Sequence, residues 1–226
     1  MNPRVSVLVP VFNSAAYLGE AIEGVLGQTR PPDEVVVVDD GSTDGSADVA
    51  KAFGPHLLVI VRPRRGVGAA RNAGLEAATG NLIAMCDADD VWGPTKLERQ
   101  LQLLDSDDAI GVVFTHFHEF VSPEITTPPA GARAPVDVGT APIPSTMLAR
   151  RSVLDDVGYF DESLRIGDWI EWCGRLRASG DRTEILAEPL VRRRLHGNNN
   201  SIVRAGAGED YVRILKKHLD EARRAQ

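Results

Sequence analysis

The chain contains a run of four valines, Val35 to Val38, that ends in two adjacent carboxylates, Asp39 and Asp40. A short apolar run bounded by turn residues is typical of a strand buried on both faces, as in a parallel sheet covered by helices. In open sheets of this kind, ligands bind beyond the carboxyl ends of the strands. The run therefore predicts a central strand, with both aspartates at the edge where a ligand would bind.

Strand-like and helix-like segments alternate four times over the first half of the chain. The strand-like stretches are "RVSVLVPVF", "EVVVVDD", "LLVIV" and "NLIAMCDADD", and each is followed by a segment with apolar residues at helical spacing. Repeated strand–helix units favour a mainly parallel sheet with right-handed crossovers. We predict an α/β fold with a central sheet flanked by helices.

The second half has a different pattern. The strand-like "IGVVFTHFHEF" precedes residues 121–144, which contain six prolines and little periodicity and therefore predict a long surface loop. Shorter strand-like and helix-like segments follow, and residues 207–226 have the pattern of an amphipathic terminal helix. Because no linker separates these parts, we predict one domain over residues 1–226, divided into 1–119, a smaller C-terminal extension at 120–206, and the terminal helix.

Composition argues against several classes of protein. No apolar run approaches the roughly 20 residues that span a bilayer, and the N-terminus lacks a signal-peptide pattern, so we expect a cytoplasmic protein. Two cysteines in 226 residues predict neither a disulfide framework nor a cysteine zinc site. The formal net charge of −7 argues against a nucleic-acid-binding surface.

The turn "DDGSTDGS" after the valine run combines carboxylates with a glycine that permits a tight bend. Carboxylates repel phosphate but accept N–H and hydroxyl groups, so this turn favours a nucleobase or a ribose as its ligand. The alternative is an ordinary turn in which Asp44 or Ser46 caps the next helix.

A second acidic turn, "DADD", ends the fourth predicted strand. Alternation along an extended segment puts Asp87 and Asp89 on one side, where two hard oxygen ligands can share Mg²⁺ or Mn²⁺ with a diphosphate. The alternatives are a helix cap and solvated loop acids. Three acids beside another strand that ends in acids favour the functional interpretation.

The glycine-rich segment "RRGVGAARNAG" begins a predicted helix, whose N-terminal amides and Arg71 can approach an anion or a sugar. It lacks the spacing of a Walker loop, and no dinucleotide fingerprint follows the first strand. ATPases and dehydrogenases are therefore disfavoured.

Two further candidates lie near the C-terminal end. Asp168, in "RIGDWIEW", is either a helix N-cap or a base that takes a proton from an acceptor hydroxyl, with Trp169 or Trp172 stacking on a sugar or base. His196, in "RRRLHGNNNS", is either a structural residue or a metal ligand.

Taken in order, "VSVLVPVFN", "VVVVDDGSTDGS", "GVGAARNAG", "DADD" and "GDWIEW" resemble the motifs of the family 2 glycosyltransferases, over about residues 3–200. The resemblance implies a Rossmann-like GT-A fold, a nucleotide-sugar donor over residues 1–119, with a UDP-sugar favoured, and a hydroxyl-bearing acceptor approached from residues 120–206. A membrane-bound acceptor would require peripheral docking at the inner face of the membrane.

Residue roles carry over from the motifs. The resemblance implies that Asp40 contacts the base, Arg71 the base or diphosphate, and Asp87 the ribose or sugar. Asp89 would bind Mn²⁺ or Mg²⁺, with His196 as a further metal or diphosphate contact. Gly167 stands where the family commonly has glutamate, and Phe12 where it commonly has tyrosine. The implied nucleotide and donor contacts are Pro10, Val11, Phe12, Asn13, Asp40, Gly66, Arg71, Asp87, Ala88 and Asp89.

The implied reaction is a single inverting displacement in which Asp168 acts as general base and the metal stabilises the leaving diphosphate. One alternative is a non-catalytic nucleotide-sugar- or glycan-binding module of the same fold. Another is a sugar-nucleotide pyrophosphorylase, which is disfavoured because "VPVFNSAAY" replaces the glycine- and lysine-rich signature expected after the first strand.

Overall fold

The computed structural model describes residues 3–125, 134–197, 212–214 and 216. Within these residues one mixed sheet has the strand order β3-β2-β1-β4-β7-β6-β8-β5. Its strands are β1 (Val5–Val11), β2 (Glu34–Asp39), β3 (Leu58–Val61), β4 (Leu82–Met85), β5 (Val91–Trp92), β6 (Ile110–Val121), β7 (Leu148–Arg150) and β8 (Arg182–Leu195). The α-helices are α1 (Ala15–Leu26), α2 (Ser46–Ala52), α3 (Val67–Ala77), α4 (Lys96–Ser106), α5 (Arg151–Val157) and α6 (Asp168–Ser179).

The first half of the sheet is parallel, as the four strand–helix repeats predict. β1 pairs in parallel with both β2 and β4, and β2 pairs in parallel with β3. The acidic segments after β2 and β4 therefore lie at the same edge of the sheet, on either side of the end of β1.

The valine run is buried on both faces of the sheet. Val35 and Val37 belong to the core cluster that contains Leu18 and Ile22 of α1. Val36 and Val38 belong to the opposite cluster, together with α3 and α6 residues such as Leu75 and Trp172. A strand with two apolar faces needs helices on both sides, which explains why the run lacks the polar alternation of a half-exposed strand.

The second half of the sheet has mixed directions. β7 lies between β4 and β6 and is antiparallel to both, whereas β6 and β8 are parallel. β8 extends well beyond the predicted "EILAEPLV", and Pro189 lies where the register between β6 and β8 shifts. The two-residue strand β5, which sequence analysis did not predict, pairs with β8 and fastens the end of the "DADD" turn to it.

The predicted terminal helix over 207–226 falls mostly outside the described residues. Residues 212–214 and 216 are helical, and Arg213 donates a hydrogen bond to the carbonyl of Ser163. Within the described part of the chain, no helix combines the length and apolar character that a membrane span requires.

Candidate active site

Asp40, at the end of β2, holds the loop that follows β3. Its carboxylate accepts the backbone N–H of Arg65 at 3.0 and 3.1 Å and that of Gly66 at 2.7 Å. Gly41 adopts φ +81°, and a Cβ there would lie 2.9 Å from the backbone nitrogen of Arg64. Glycine is therefore required where this loop crosses the end of β2.

Asp39 differs from Asp40 in that one of its carboxylate oxygens is unsatisfied within the described part of the chain. Asp39 is 1% exposed, and its Oδ1 accepts the backbone N–H of Ser42 at 2.7 Å. Its Oδ2 is buried and has no hydrogen-bond partner among the described residues. The family resemblance implies that Asp40 contacts the base, whereas the unsatisfied acceptor in this structure is Asp39 Oδ2.

The loop after β1 is joined to the loop after β2. Asn13, with φ 48°, accepts the backbone N–H of Thr43 at 2.8 Å and donates its own N–H to Ser42 Oγ at 2.9 Å. Phe12 carries the guanidinium of Arg64 over its ring, with Cζ 3.7 Å from the ring centroid. These loops form the expected nucleotide side of the site. The remaining expected donor residues lie on the same segments. Pro10 and Val11 directly precede Phe12, Gly66 ends the loop that Asp40 holds, and Ala88 lies between Asp87 and Asp89.

Arg71, on α3, joins the donor side of the site to the predicted base. Its guanidinium is 2.5 Å from Asp168 Oδ2 and 3.2 Å from Asp87 Oδ1. Burial works against the charge of Arg71, which is 5% exposed, but the two carboxylates outweigh burial and raise its pKa. The pKa of Asp87 is raised as well, because desolvation outweighs the opposing effect of Arg71 and disfavours the charged carboxylate. Arg71 thus lies between two carboxylates in this structure.

Asp168 is the first residue of α6 and is 4% exposed. Gly167, with φ +79°, occupies the N-cap position, so Asp168 is not the helix cap. A Cβ on Gly68 would lie 3.6 Å from the Cβ of Asp168, so the first turn of α3 packs against the start of α6. This packing brings Asp168 within reach of Arg71.

Asp89 and His196 meet on the other side of the acidic turn. His196 Nε2 lies 2.8 Å from Asp89 Oδ2, and the His196 ring lies 4.6 Å from the ring of Tyr17. The Asp89 side chain is 24% exposed, whereas that of His196 is 8% exposed. The two residues that the resemblance assigns to the metal are therefore neighbours.

The described residues contain no group of three His, Cys, Asp or Glu side chains placed to hold a metal ion. Asp89 and His196 offer one carboxylate and one imidazole, and both are metal-ligand types. A divalent cation held by two protein ligands would take its other ligands from a diphosphate and water, as is usual for Mg²⁺ with nucleotide substrates. The pair fits a metal that is bound together with a nucleotide.

Ser145, which no sequence motif indicated, supports the acidic turn. Ser145 Oγ accepts the backbone N–H of Asp87 at 3.0 Å and donates to Asp90 Oδ2 at 2.6 Å. Burial, together with the charges of Asp89 and Asp87, raises the pKa of Asp90 well above its usual range. Ser145 lies in a short 3-10 helix at 144–146, and no local motif marks it as a partner of the turn.

The two tryptophans after Asp168 belong to the core. Trp172 is fully buried and donates its indole N–H to the carbonyl of Gly158 at 3.1 Å. Trp169 is 8% exposed and donates to the carbonyl of Pro142 at 3.0 Å. Their rings stack 5.3 Å apart and pack near Phe160. The structure does not support the expected acceptor contact of Trp172, because its ring offers no open face.

The site residues form one continuous set of contacts. Asp40 holds Gly66, which is the N-cap of α3, and α3 carries Arg71. Arg71 contacts both Asp168 and Asp87, and Asp89 follows in the same turn as Asp87. Carboxylates from three distant stretches of sequence therefore line one edge of the sheet.

The family model for glycosyl transferase family 2 matches residues 6–160. An uncharacterized glycosyltransferase of Nostoc sp. (strain PCC 7120) is 34% identical over 222 residues, which cover 90% of this chain and 68% of that protein. A putative teichuronic acid biosynthesis glycosyltransferase of Bacillus subtilis, TuaG, is 37% identical over 108 residues, covering 46% of this chain and 42% of that protein.

Two solved structures share the fold. The S. aureus TarS 1–349 structure in complex with UDP-GlcNAc has a TM-score of 0.77 at 22% identity, covering 95% of this chain and 65% of that chain. The mannosyltransferase PcManGT from Pyrobaculum calidifontis, in complex with GDP-Man and Mn²⁺, has a TM-score of 0.68 at 22% identity, covering 99% and 65%. The chain thus spans slightly less than two thirds of either structure. The fold is that of the GT-A glycosyltransferases, and the match over residues 6–160 shows that the chain belongs to glycosyltransferase family 2.

Proposed function

We propose that this protein transfers a sugar from a nucleotide-sugar, with a UDP-sugar favoured, to an acceptor hydroxyl in one inverting displacement. The observation that carries the proposal is the contact of Arg71 with both Asp168 and Asp87, which joins the candidate base to the donor-side acidic turn. The family match and the nucleotide-sugar complexes of structural neighbours support the substrate class.

The donor's nucleotide would bind at the loops after β1 and β2. The unpaired Oδ2 of Asp39 can accept an N–H of the base, a role for which a buried and unsatisfied carboxylate oxygen is suited. The ring of Phe12 can stack on the base once the guanidinium of Arg64 moves from its face. Asp87 would face the ribose or the donor sugar.

The acceptor hydroxyl would lose its proton to Asp168, and the resulting oxygen would attack the anomeric carbon from the face opposite the nucleotide. Arg71 holds the Asp168 carboxylate in place and supplies the positive charge that a buried carboxylate needs. A divalent cation bound by Asp89 and His196 would supply charge neutralisation at the leaving diphosphate.

Thermal unfolding with a panel of UDP- and GDP-sugars, each with and without Mn²⁺, tests the proposal. A donor at about 100 times its Kd should stabilise the fold by about 2.7 kcal/mol, and Asp89→Asn should remove the part of the shift that depends on Mn²⁺. Asp48→Asn, a change at a surface carboxylate paired with Lys51, is the matched control and should leave the shift intact.

Release of free nucleotide on addition of candidate acceptors then separates a transferase from a binding module. Stabilisation by a nucleotide-sugar without turnover for any acceptor would favour the non-catalytic alternative. No stabilisation by any nucleotide-sugar would contradict both.

A further inference from the structure

Arg194 has no role in the reaction proposed above, yet it is one of the most buried charged residues, at 4% exposure. It lies near the end of β8, two residues before His196. Its Nε donates to the backbone carbonyl of Asp89 at 3.1 Å, and its other nitrogens donate to Ser122 Oγ at 3.3 Å and to the Glu20 carboxylate. One guanidinium thus connects the acidic turn to α1 and to the end of β6.

The segment 194–196 contacts the acidic turn at three points. The Arg194 side chain holds the carbonyl of Asp89, and the Arg194 backbone N–H donates to Asp90 Oδ1 at 3.1 Å. His196 meets the Asp89 carboxylate at 2.8 Å. Side chains two residues apart on an extended segment lie on the same side, so Arg194 and His196 approach Asp89 together.

Aromatic rings fix the orientation of this guanidinium. Arg194 Cζ lies 4.9 Å from the ring centroid of Tyr17 and 4.7 Å from that of Phe120. Tyr17 also contacts the ring of His196. A planar fork that donates in several directions and stacks on rings is a property of arginine that lysine does not share.

We propose that Arg194 is a positioning residue that holds the Asp89 carboxylate and the His196 imidazole at the spacing a divalent cation needs. The proposal rests on the metal pair of the proposed function. Asp89 lies in the turn between β4 and β5, and His196 directly follows the end of β8, so neither belongs to a strand or helix. The Arg194 side chain ties the Asp89 backbone to α1 and to the end of β6, and it anchors the segment in which His196 follows two residues later.

The test measures Mn²⁺ binding in the presence of UDP for wild type, Arg194→Lys and Arg194→Met. Electron paramagnetic resonance detects the free Mn²⁺ that remains in each titration. Loss of a residue that orients a metal ligand typically weakens metal affinity about 10-fold to 100-fold. We expect that loss in Arg194→Met and a smaller loss in Arg194→Lys. Spin-echo spectra should show a coordinated nitrogen in wild type and a weaker nitrogen signal in Arg194→Met at saturating Mn²⁺.

Arg151→Met is the matched control. Arg151 also donates to two backbone carbonyls, those of Ala78 at 2.7 Å and Leu75 at 2.8 Å, but on α5 away from the acidic turn. This variant should lose thermal stability and keep wild-type Mn²⁺ affinity.

The possible failures are distinguishable. Wild-type Mn²⁺ affinity and nitrogen signal in Arg194→Met would overturn the positioning role alone, as would an equal loss of affinity in Arg151→Met. If the wild-type protein bound no Mn²⁺ with UDP present, the metal part of the proposed function would fall, and the positioning role with it.

Discussion

The acidic turn 87–90 is held differently on its two sides. On the side of α6, Arg71 pairs with Asp168 and Asp87, and both Arg71 and Asp168 have side chains that are 5% exposed. On the side of β8, Asp89 pairs with an imidazole, and its carboxylate is 24% exposed. The first side contains an ion pair with both members buried, Arg71 and Asp168, beside the 32% exposed side chain of Asp87. The second pairs the partly exposed Asp89 carboxylate with a histidine that is 8% exposed.

The contact of Arg71 with Asp168 is permanent in the folded protein, whereas the contact of His196 with Asp89 can be exchanged for contacts with a cation. Breaking a buried ion pair leaves an uncompensated charge, so the Arg71–Asp168 pair persists while the protein is folded. A histidine–carboxylate hydrogen bond can be replaced by bonds from both residues to a cation, because both side chains are metal-ligand types. Under the proposed function, the first side would hold the base and the second would bind the metal.

The largest expected effect is that of Asp168→Asn. Asparagine keeps the shape of the side chain and an oxygen for Arg71 but cannot take a proton. We expect turnover to fall by about 10²-fold to 10⁴-fold, with donor affinity nearly unchanged, as measured by nucleotide release and by calorimetric titration. Turnover at the wild-type rate would remove Asp168 from the mechanism and would reduce the α6 side to a structural ion pair.

Replacement of Arg71 tests whether the charge of Asp168 depends on its buried partner. Arg71→Met should lower the free energy of unfolding by about 3–5 kcal/mol, because Asp168 remains buried without its partner. The double variant Arg71→Met with Asp168→Asn should be more stable than Arg71→Met, since the buried charge has gone. Urea unfolding of the three proteins measures this, and a double variant no more stable than Arg71→Met would contradict the charge explanation.

The exchangeable side is tested by His196→Gln, which keeps a hydrogen-bond donor near Asp89 but removes the imidazole. Loss of an outer-shell partner typically weakens metal affinity at least about 10-fold. We expect the loss of a direct ligand to weaken Mn²⁺ affinity in the presence of UDP by at least that factor. Stability without metal should change little. If Mn²⁺ affinity were the same as in wild type, the His196–Asp89 contact would be structural and the contrast between the two sides would weaken.

The smallest effect is expected from Trp172→Phe, a change four residues after Asp168 on α6. The variant loses the hydrogen bond to the Gly158 carbonyl, worth about 0.5–1.5 kcal/mol, and gains a cavity that costs further stability. The KM for the acceptor should stay at the wild-type value. A large increase in KM with unchanged stability would instead restore the acceptor contact that the sequence suggested.

Local patterns predicted the first half of the fold well. Each strand–helix repeat can be recognised within about 30 residues, and the valine run indicates by itself that helices cover both faces of β2. The gathering of acidic turns at one edge follows from parallel pairing, so the neighbourhood of Asp39, Asp40, Asp87 and Asp89 was predictable. Asp168 and His196 were candidates from their local sequence, with structural alternatives, and the family resemblance favoured their functional interpretation.

The rest depends on pairings that local patterns do not encode. β7 reaches its place beside β4 by pairing Leu82 with Arg150, and no periodicity specifies which distant strand fills that position. The contact between Arg71 and Asp168 spans 97 residues and requires α3 and α6 to meet at their first turns. Asp40 holds the loop 62–66 while Asp39 keeps an unsatisfied oxygen, and this difference depends on where that loop crosses the end of β2.

The guanidinium of Arg64 over the ring of Phe12 has a consequence for how a nucleotide would enter. A base that stacks on that face of Phe12 must displace the Arg64 guanidinium. A cation–ring contact of this kind is worth about 0.5–1 kcal/mol at an exposed position. Entry is then an exchange of one stacking partner for another, and the free protein keeps its aromatic surface covered between turnovers.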